Sequence, residues 1–181
     1  MKEGVCLNFE FAILDWFQTI HCAPLDAISV FFNTAGAHGE LWIVLTLLLL
    51  VFPKTRKAGA ASALALVLYF LTCHIGLKPL INRPRPCDLN PSVPLLVKRP
   101  YSGSFPSGHA ASGFAAATAL CFERCKIGPY AVLLACFICL TRLYLYVHFP
   151  SDVLGGALIG TLLGFVSAKC IDALAKRRTK L

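Results

Sequence analysis

Apolar runs that stop abruptly at charge or proline constrain this chain more than any other feature. Residues 41–52 are almost wholly Leu, Val and Ile and end at Pro53-Lys54-Thr55-Arg56-Lys57; further runs occupy 58–77, 107–122, 128–147 and 151–171. In a bilayer core the backbone must satisfy its own hydrogen bonds, so such runs fold as helices. Composition agrees, with 57% hydrophobic and only 14% charged residues and a mean hydropathy of +0.69, where a soluble domain carries about 25% charged residues. The pattern predicts an all-α, polytopic membrane helix bundle of about five transmembrane helices with an N-terminal interfacial amphipathic segment. The 181 residues suit one membrane-embedded domain, with 1–38 as N-terminal helices and 78–152 as the motif-bearing core.

Residues 7–20 place apolar groups at helical spacing with Glu10, Asp15 and Gln18 between them. That is too polar for a span and suits a helix lying in the interface. Pro24 interrupts, residues 25–35 form a second short apolar piece, and Gly36-Ala37-His38-Gly39 breaks the pattern. The 41–52 run is short for a span, so it extends back through Gly39 or sits in thinned bilayer. Residues 81–105 contain Pro84, Pro86, Pro91, Pro94 and Pro100 and predict a long irregular loop. A loop of that length in a compact protein is usually functional. Gly156, Gly160 and Gly164 form a small-residue ridge that lets helices approach closely, within the bundle or between subunits; a homo-oligomer stays open.

The net charge of +8 belongs to the loops and does not point to nucleic acid. Lys54, Arg56 and Lys57, then Arg124 and Lys126, then Lys176, Arg177, Arg178 and Lys180 fall on one side, which the positive-inside rule makes cytoplasmic. The C-terminus is then cytoplasmic, and the loops around 78–109 and 142–152 face the extracytoplasmic side of a cell membrane. Arg83, Arg85, Lys98 and Arg99 oppose the rule and read as site or headgroup residues. Met1–Glu10, with one Lys and two Glu, does not resemble a cleavable leader. The nine acids are scattered, so no carboxylate cluster offers a two-metal site, and neither metal nor cofactor is expected. Most of the nine cysteines lie in apolar runs and act as small hydrophobes; Cys136 and Cys139 have no partner pair for zinc.

Chemistry collects at the ends of the runs. His148 and Asp152 are four apart at a helix start and can share one face. A carboxylate on one imidazole nitrogen fixes the tautomer and frees the other nitrogen as a nucleophile. His109, just after Pro106-Ser107-Gly108, could protonate a leaving oxygen and then activate water. Lys78, Arg85 and Arg142 flank runs on the same face and can converge on phosphate, while Ser107 and Gly108 offer backbone N–H groups at a helix N-terminus. Alone, His109 reads as a buried hydrogen-bonded histidine, and Arg85 or Arg142 as a snorkelling cation. Together they read as a phosphate site, the more so because Arg142 lies at the wrong end of its helix to snorkel. His74, one turn before Lys78, could touch the site but reads first as a packing or water-bonded residue. Asp88, Lys98 and Arg99 read as headgroup contacts or a solvated loop. Tyr144, Tyr146, Trp16 and Trp42 read as interface or packing aromatics.

Lys78-x6-Arg85-Pro86, Pro106-Ser107-Gly108-His109 and Arg142-x5-His148-x3-Asp152 resemble, in order, the three-part signature of the type 2 phosphatidic acid phosphatases. That superfamily includes the vanadium haloperoxidases. The resemblance implies a metal-independent membrane lipid phosphatase working through a phosphohistidine. By position, His148 is the nucleophile, His109 the general acid and base, and Asp152 the orienter of His148. Lys78, Arg85, Ser107, Gly108 and Arg142 bind phosphate. Thr141 stands where the family usually has Ser and keeps a hydroxyl; the N-terminus is one span shorter than in six-span members. The small size resembles prokaryotic members. Among their substrates undecaprenyl diphosphate comes first, then phosphatidylglycerophosphate and phosphatidic acid, with lipid A lower. The implied partners are a lipid phosphate or diphosphate and membrane lipids. Two other classes stand beside this reading: a vanadate-dependent oxidase, and a catalytically silent lipid-binding bundle.

Overall fold

The computed structural model describes residues 2–36 and 39–178, with side chains for 7–36 and 39–177. Ala37 and His38 of the expected break, and Lys180 of the basic tail, lie outside the described residues. All regular structure among the described residues is helical. The order is α1 (Lys2–Thr19), α2 (Ala23–Ala35), α3 (Glu40–Val51), α4 (Arg56–Tyr69), a π-helical stretch (Phe70–Leu77), α5 (Lys78–Ile81), α6 (Pro86–Leu89), α7 (Gly108–Phe122), α8 (Gly128–Tyr144) and α9 (Pro150–Arg178).

Helix α7 is the centre, packed on α3, α4, α8 and α9. Its sequence explains this: Ala110, Ala111, Ala115, Ala116, Ala117 and Ala119 are all fully buried, and such short side chains let neighbouring backbones close in. The glycine ridge of α9 completes the fit. A Cβ on Gly156 would lie 2.6 Å from the Ser107 carbonyl oxygen, and one on Gly164 would lie 2.5 Å from that of Ala115. The ridge is therefore an intramolecular seam. Helices α3 and α4 are pinned by a buried hydrogen bond of 2.7 Å between the Thr46 and Ser62 hydroxyls.

By length and composition, the stretch Arg56–Leu89, from α4 through the π-helical segment and α5 to α6, and the helix Pro150–Arg177 can each cross a membrane. A third crossing is available if α2 and α3, bent by 62° at their junction, make one span. By this measure two or three of the five expected spans are long enough among the described residues. Helix α7 has 15 residues and α8 has 17, against about 20 for a straight crossing.

The two ends of the bundle differ in chemistry. At one end Lys57 pairs with Glu123 at 2.9 Å and with Asp172, gathering the 54–57 turn, the 123–126 turn and the last turns of α9. The motif-bearing residues occupy the other end. There the proline-rich loop is less irregular than expected, since it contains the turn α6. Pro86 sits at its first position, where its fixed φ suits a helix start, and Asp88 accepts from the Arg85 N–H at 3.1 Å.

The connection between α8 and α9 is buried throughout residues 145–149. It turns at Tyr146, whose φ of 59° is unusual for a bulky residue. The Tyr146 hydroxyl is held in place by donating to Asp15 of α1 at 2.8 Å and accepting from Asn90 at 3.3 Å. Gln18 of α1 donates to the Tyr144 carbonyl at 3.1 Å. The polar groups of α1 thus meet this connection.

Candidate active site

A cavity of about 220 Å³ opens at the motif end, and its wall includes Lys78, Arg85, Gly108, His109, Arg142 and His148. Each reaches the wall from the end of an element. Lys78 follows the π-helical stretch, a departure from α geometry common at functional sites. Arg85 precedes α6, His109 opens α7, Arg142 closes α8, and His148 ends the buried connection.

Arg85 is 4% exposed and is spread over several acceptors. Its Nε donates to the Ser102 carbonyl at 2.9 Å, and Nη1 donates to the Val147 carbonyl at 2.7 Å and meets His148 Nε2 at 3.2 Å. Lys78 donates to the Gly103 carbonyl at 2.8 Å. Arg142 donates from Nε and Nη2 to the Thr141 hydroxyl at 3.2 and 2.9 Å. That hydroxyl in turn donates to the Ile138 carbonyl at 2.7 Å. Threonine thus supplies the oxygen that a serine would. Arg142 Nη1 donates to Asn33 Oδ1 at 2.8 Å and meets His109 Nε2 at 3.3 Å.

Backbone carbonyls, the Thr141 hydroxyl and the Asn33 amide hold these three cations, and no Asp or Glu is among the residues that line the cavity. Buried charge without a counter-ion is expensive, by several kcal/mol per ion. A cavity walled in this way suits an anion.

Behind His148 lies Asp152, fully buried at the first turn of α9. Its Oδ2 accepts from the Ser104 hydroxyl at 2.5 Å and from the Phe149 N–H at 2.8 Å. His148 Nδ1 is 3.7 Å from Asp152 Oδ2 and 3.3 Å from Ser104 Oγ, so Ser104 bridges the pair. An arginine cannot accept, so the Arg85 contact marks His148 Nε2 as the unprotonated nitrogen that faces the cavity. Burial pushes the His148 imidazole down to about 3, with Arg85 and Lys78 adding to the shift and Asp152 opposing it. His148 is therefore a free base at neutral pH.

Ser107 stands apart from its expected place. Its N–H donates to the Asp152 carbonyl at 3.0 Å, its hydroxyl is buried without a protein hydrogen bond, and Gly108 takes the wall position. His74 and Lys98 also reach the wall. Asp88 instead caps Arg85 and lies 3.4 Å from Arg99. The sequence reading missed Ser104 and Asn33. Ser104 carried a faint signal as a hydroxyl two residues before the Pro-Ser-Gly-His stretch; Asn33, in a short apolar piece, carried none.

Cations and imidazoles around one small cavity, at one end of an apolar bundle, define a phosphate-handling membrane enzyme. Residues 56–176 match the PAP2 superfamily, and the chain belongs to that family. An undecaprenyl-diphosphatase from Sulfolobus acidocaldarius is 30% identical over 171 residues, which cover 93% of this chain and 80% of that protein. A lipid A 4'-phosphatase from Bacteroides thetaiotaomicron is 32% identical over 168 residues, covering 85% of this chain and 73% of the relative. The crystal structure of Aquifex aeolicus LpxE matches with a TM-score of 0.71 at 34% identity, over 88% of this chain and 94% of that one. The chain is an enzyme of the phosphatase branch, a phosphoester hydrolase.

Proposed function

We propose that this protein hydrolyses the terminal phosphate of a membrane lipid through a phosphohistidine on His148, without a metal. The observation that carries the reading is the cavity wall of three buried cations and the His109 and His148 imidazoles, with no lining carboxylate. Lys78, Arg85 and Arg142 bind the phosphate oxygens, and their charge stabilises the transition state more than the ground state. Gly108 lets the phosphate approach the start of α7. His148 Nε2 attacks phosphorus as the bond to the leaving oxygen breaks, and His109 gives that oxygen a proton. Asp152, with Ser104 between, stabilises the cation that forms on His148. His109 then takes a proton from water as the water attacks the phosphohistidine, which releases phosphate and restores both histidines.

The preferred substrate is undecaprenyl diphosphate, giving undecaprenyl phosphate; the Sulfolobus relative supports this choice. A lipid A phosphate is the second reading, favoured by the Bacteroides relative. On this proposal the five apolar runs cross the membrane, with the basic end cytoplasmic and the cavity extracytoplasmic, so the headgroup is reached from the outer leaflet.

The test is phosphate release by purified protein in detergent with excess EDTA. The substrates are undecaprenyl diphosphate, lipid A, phosphatidylglycerophosphate and phosphatidic acid, with His148→Ala as control. Release that survives chelation, is fastest on undecaprenyl diphosphate and vanishes in the variant is expected. No release from any of the four by folded protein overturns the reading.

A further inference from the structure

The proline-rich loop carries a fourth cation that does not line the cavity. Arg83 reaches the far side of Asp152: its Nη1 donates to Asp152 Oδ1 at 2.7 Å and to the Ser151 hydroxyl at 2.6 Å. Its Nη2 donates to Glu10 Oε2 at 2.7 Å, while Glu10 Oε1 accepts from the Ser151 N–H at 3.0 Å. The guanidinium also lies 4.2 Å above the ring of Phe149. Glu10 is only 5% exposed, on a helix otherwise rich in exposed side chains. A planar guanidinium gripped on both Nη atoms and one face has almost no freedom left.

We propose that Arg83 is a positioning residue for the reaction, clamping Asp152 from the side opposite His148 and tying it to Glu10 of α1. The proposal rests on His148 and Asp152 acting as a pair. The carboxylate has two oxygens with separate duties. Oδ2 faces Ser104 and His148, and Oδ1 faces Arg83. With Oδ1 fixed, the carboxylate cannot rotate away as positive charge builds on His148. Its Oδ2 then stays where the imidazolium needs it, and a displacement of about 1 Å in such a group can cost about a hundredfold in rate. Glu10 balances the clamp. It neutralises Arg83, so the cation holds Asp152 without drawing off all of its charge. The N-terminal helix is thereby part of the catalytic apparatus, though it touches no substrate.

Arg83→Gln, Arg83→Lys, Glu10→Gln and the double variant Glu10→Gln/Arg83→Gln are compared on the lipid that the wild-type protein hydrolyses fastest. Arg83→Gln is expected to lower kcat by about tenfold or more with KM within about twofold, because the clamp touches no phosphate oxygen. Arg83→Lys recovers part of the loss. Glu10→Gln, a near-isosteric change that keeps α1 docked, lowers kcat by about threefold, and the double variant is no slower than Arg83→Gln alone. A folded Arg83→Gln with wild-type kcat, or additive losses in the double variant, overturns the proposal. If Arg83→Gln does not fold, Glu10→Gln decides alone, and an unchanged kcat there is equally fatal. His148→Ala separates this from the wider reading: an inactive His148→Ala beside a fully active Arg83→Gln removes only the clamp.

Discussion

Substituting Gly156 by Ala tests whether the α7–α9 seam sets the catalytic geometry. Its Cβ would lie 2.6 Å from the Ser107 carbonyl oxygen, 3.1 Å from the Ala110 Cβ and 3.3 Å from the Ser107 nitrogen. A carbon settles against a carbonyl oxygen at about 3.3 Å. The helices must therefore separate locally by roughly 0.7 Å, and neither neighbour is a flexible side-chain tip. Ser107 is bonded to the Asp152 carbonyl at 3.0 Å and lies two residues before His109. The shift thus falls on the junction that fixes the imidazole of α7 relative to His148 and Asp152. Overpacking of this kind costs about 1–3 kcal/mol of stability, about 2–12 °C in melting temperature for a chain of this size. A sub-ångström displacement of reacting groups is expected to lower kcat by about ten- to a hundredfold.

Gly164→Ala supplies the control. Its Cβ would sit 2.5 Å from the Ala115 carbonyl oxygen and 2.8 Å from the Thr118 Cβ, so the packing insult is comparable. It lies two turns further from Asp152, where relief moves the basic end instead. Thermal unfolding in detergent and phosphate release are read on both variants. Comparable drops in melting temperature with a kcat loss confined to Gly156→Ala are expected, Gly164→Ala keeping kcat within about threefold. Equal kcat losses in the two variants, or a Gly156→Ala protein with wild-type kcat, refute the argument that this seam positions the site.

Three further outcomes follow from the site. The unfolded chain protonates His148 near pH 6.5 while the folded one holds it free to about 3, so the unfolded state binds the proton first. Its contribution to stability is intact above about pH 6.5 and is lost as pH falls toward 3; melting curves across this window should flatten in His148→Gln, and an unchanged slope contradicts the shift. Asn33→Ala removes the 2.8 Å acceptor from Arg142; a hydrogen bond to a charged group is worth about 1.5–3 kcal/mol, so kcat/KM should fall about tenfold or more, and an unchanged value removes α2 from the site. Ser104→Ala deletes the bridge between His148 and Asp152; kcat should fall by about tenfold at constant KM, and a rise in KM alone would place Ser104 on the substrate instead.

The parts of the site that were legible in the sequence share one property: each is a short pattern at the end of an apolar run. Lys78, Arg85, Gly108, His109, Arg142 and His148 reach the cavity because helix ends lie at one level of a bundle. Asp152 was legible by its four-residue spacing, although Ser104 intervenes in the contact. The unreadable parts are single polar residues whose partners are remote in the chain. Asn33 meets Arg142 across 109 positions, and Glu10 meets Arg83 across 73. No local pattern encodes such a pairing. Arg83 itself was visible as a cation on the wrong side for the positive-inside rule, but its use was not. The number of spans is less legible for the converse reason: a run of apolar residues records what surrounds a segment, and α7, buried in protein on most of its surface, is apolar without being long. The same logic bears on residues 7–35. Their Glu10, Asp15 and Gln18 argued for a helix resting in the interface. In the fold these three side chains and Asn33 bind Arg83, Tyr146, the Tyr144 carbonyl and Arg142. The polarity of the N-terminal helices is therefore accounted for by the site they brace, and it does not by itself place them at the membrane surface.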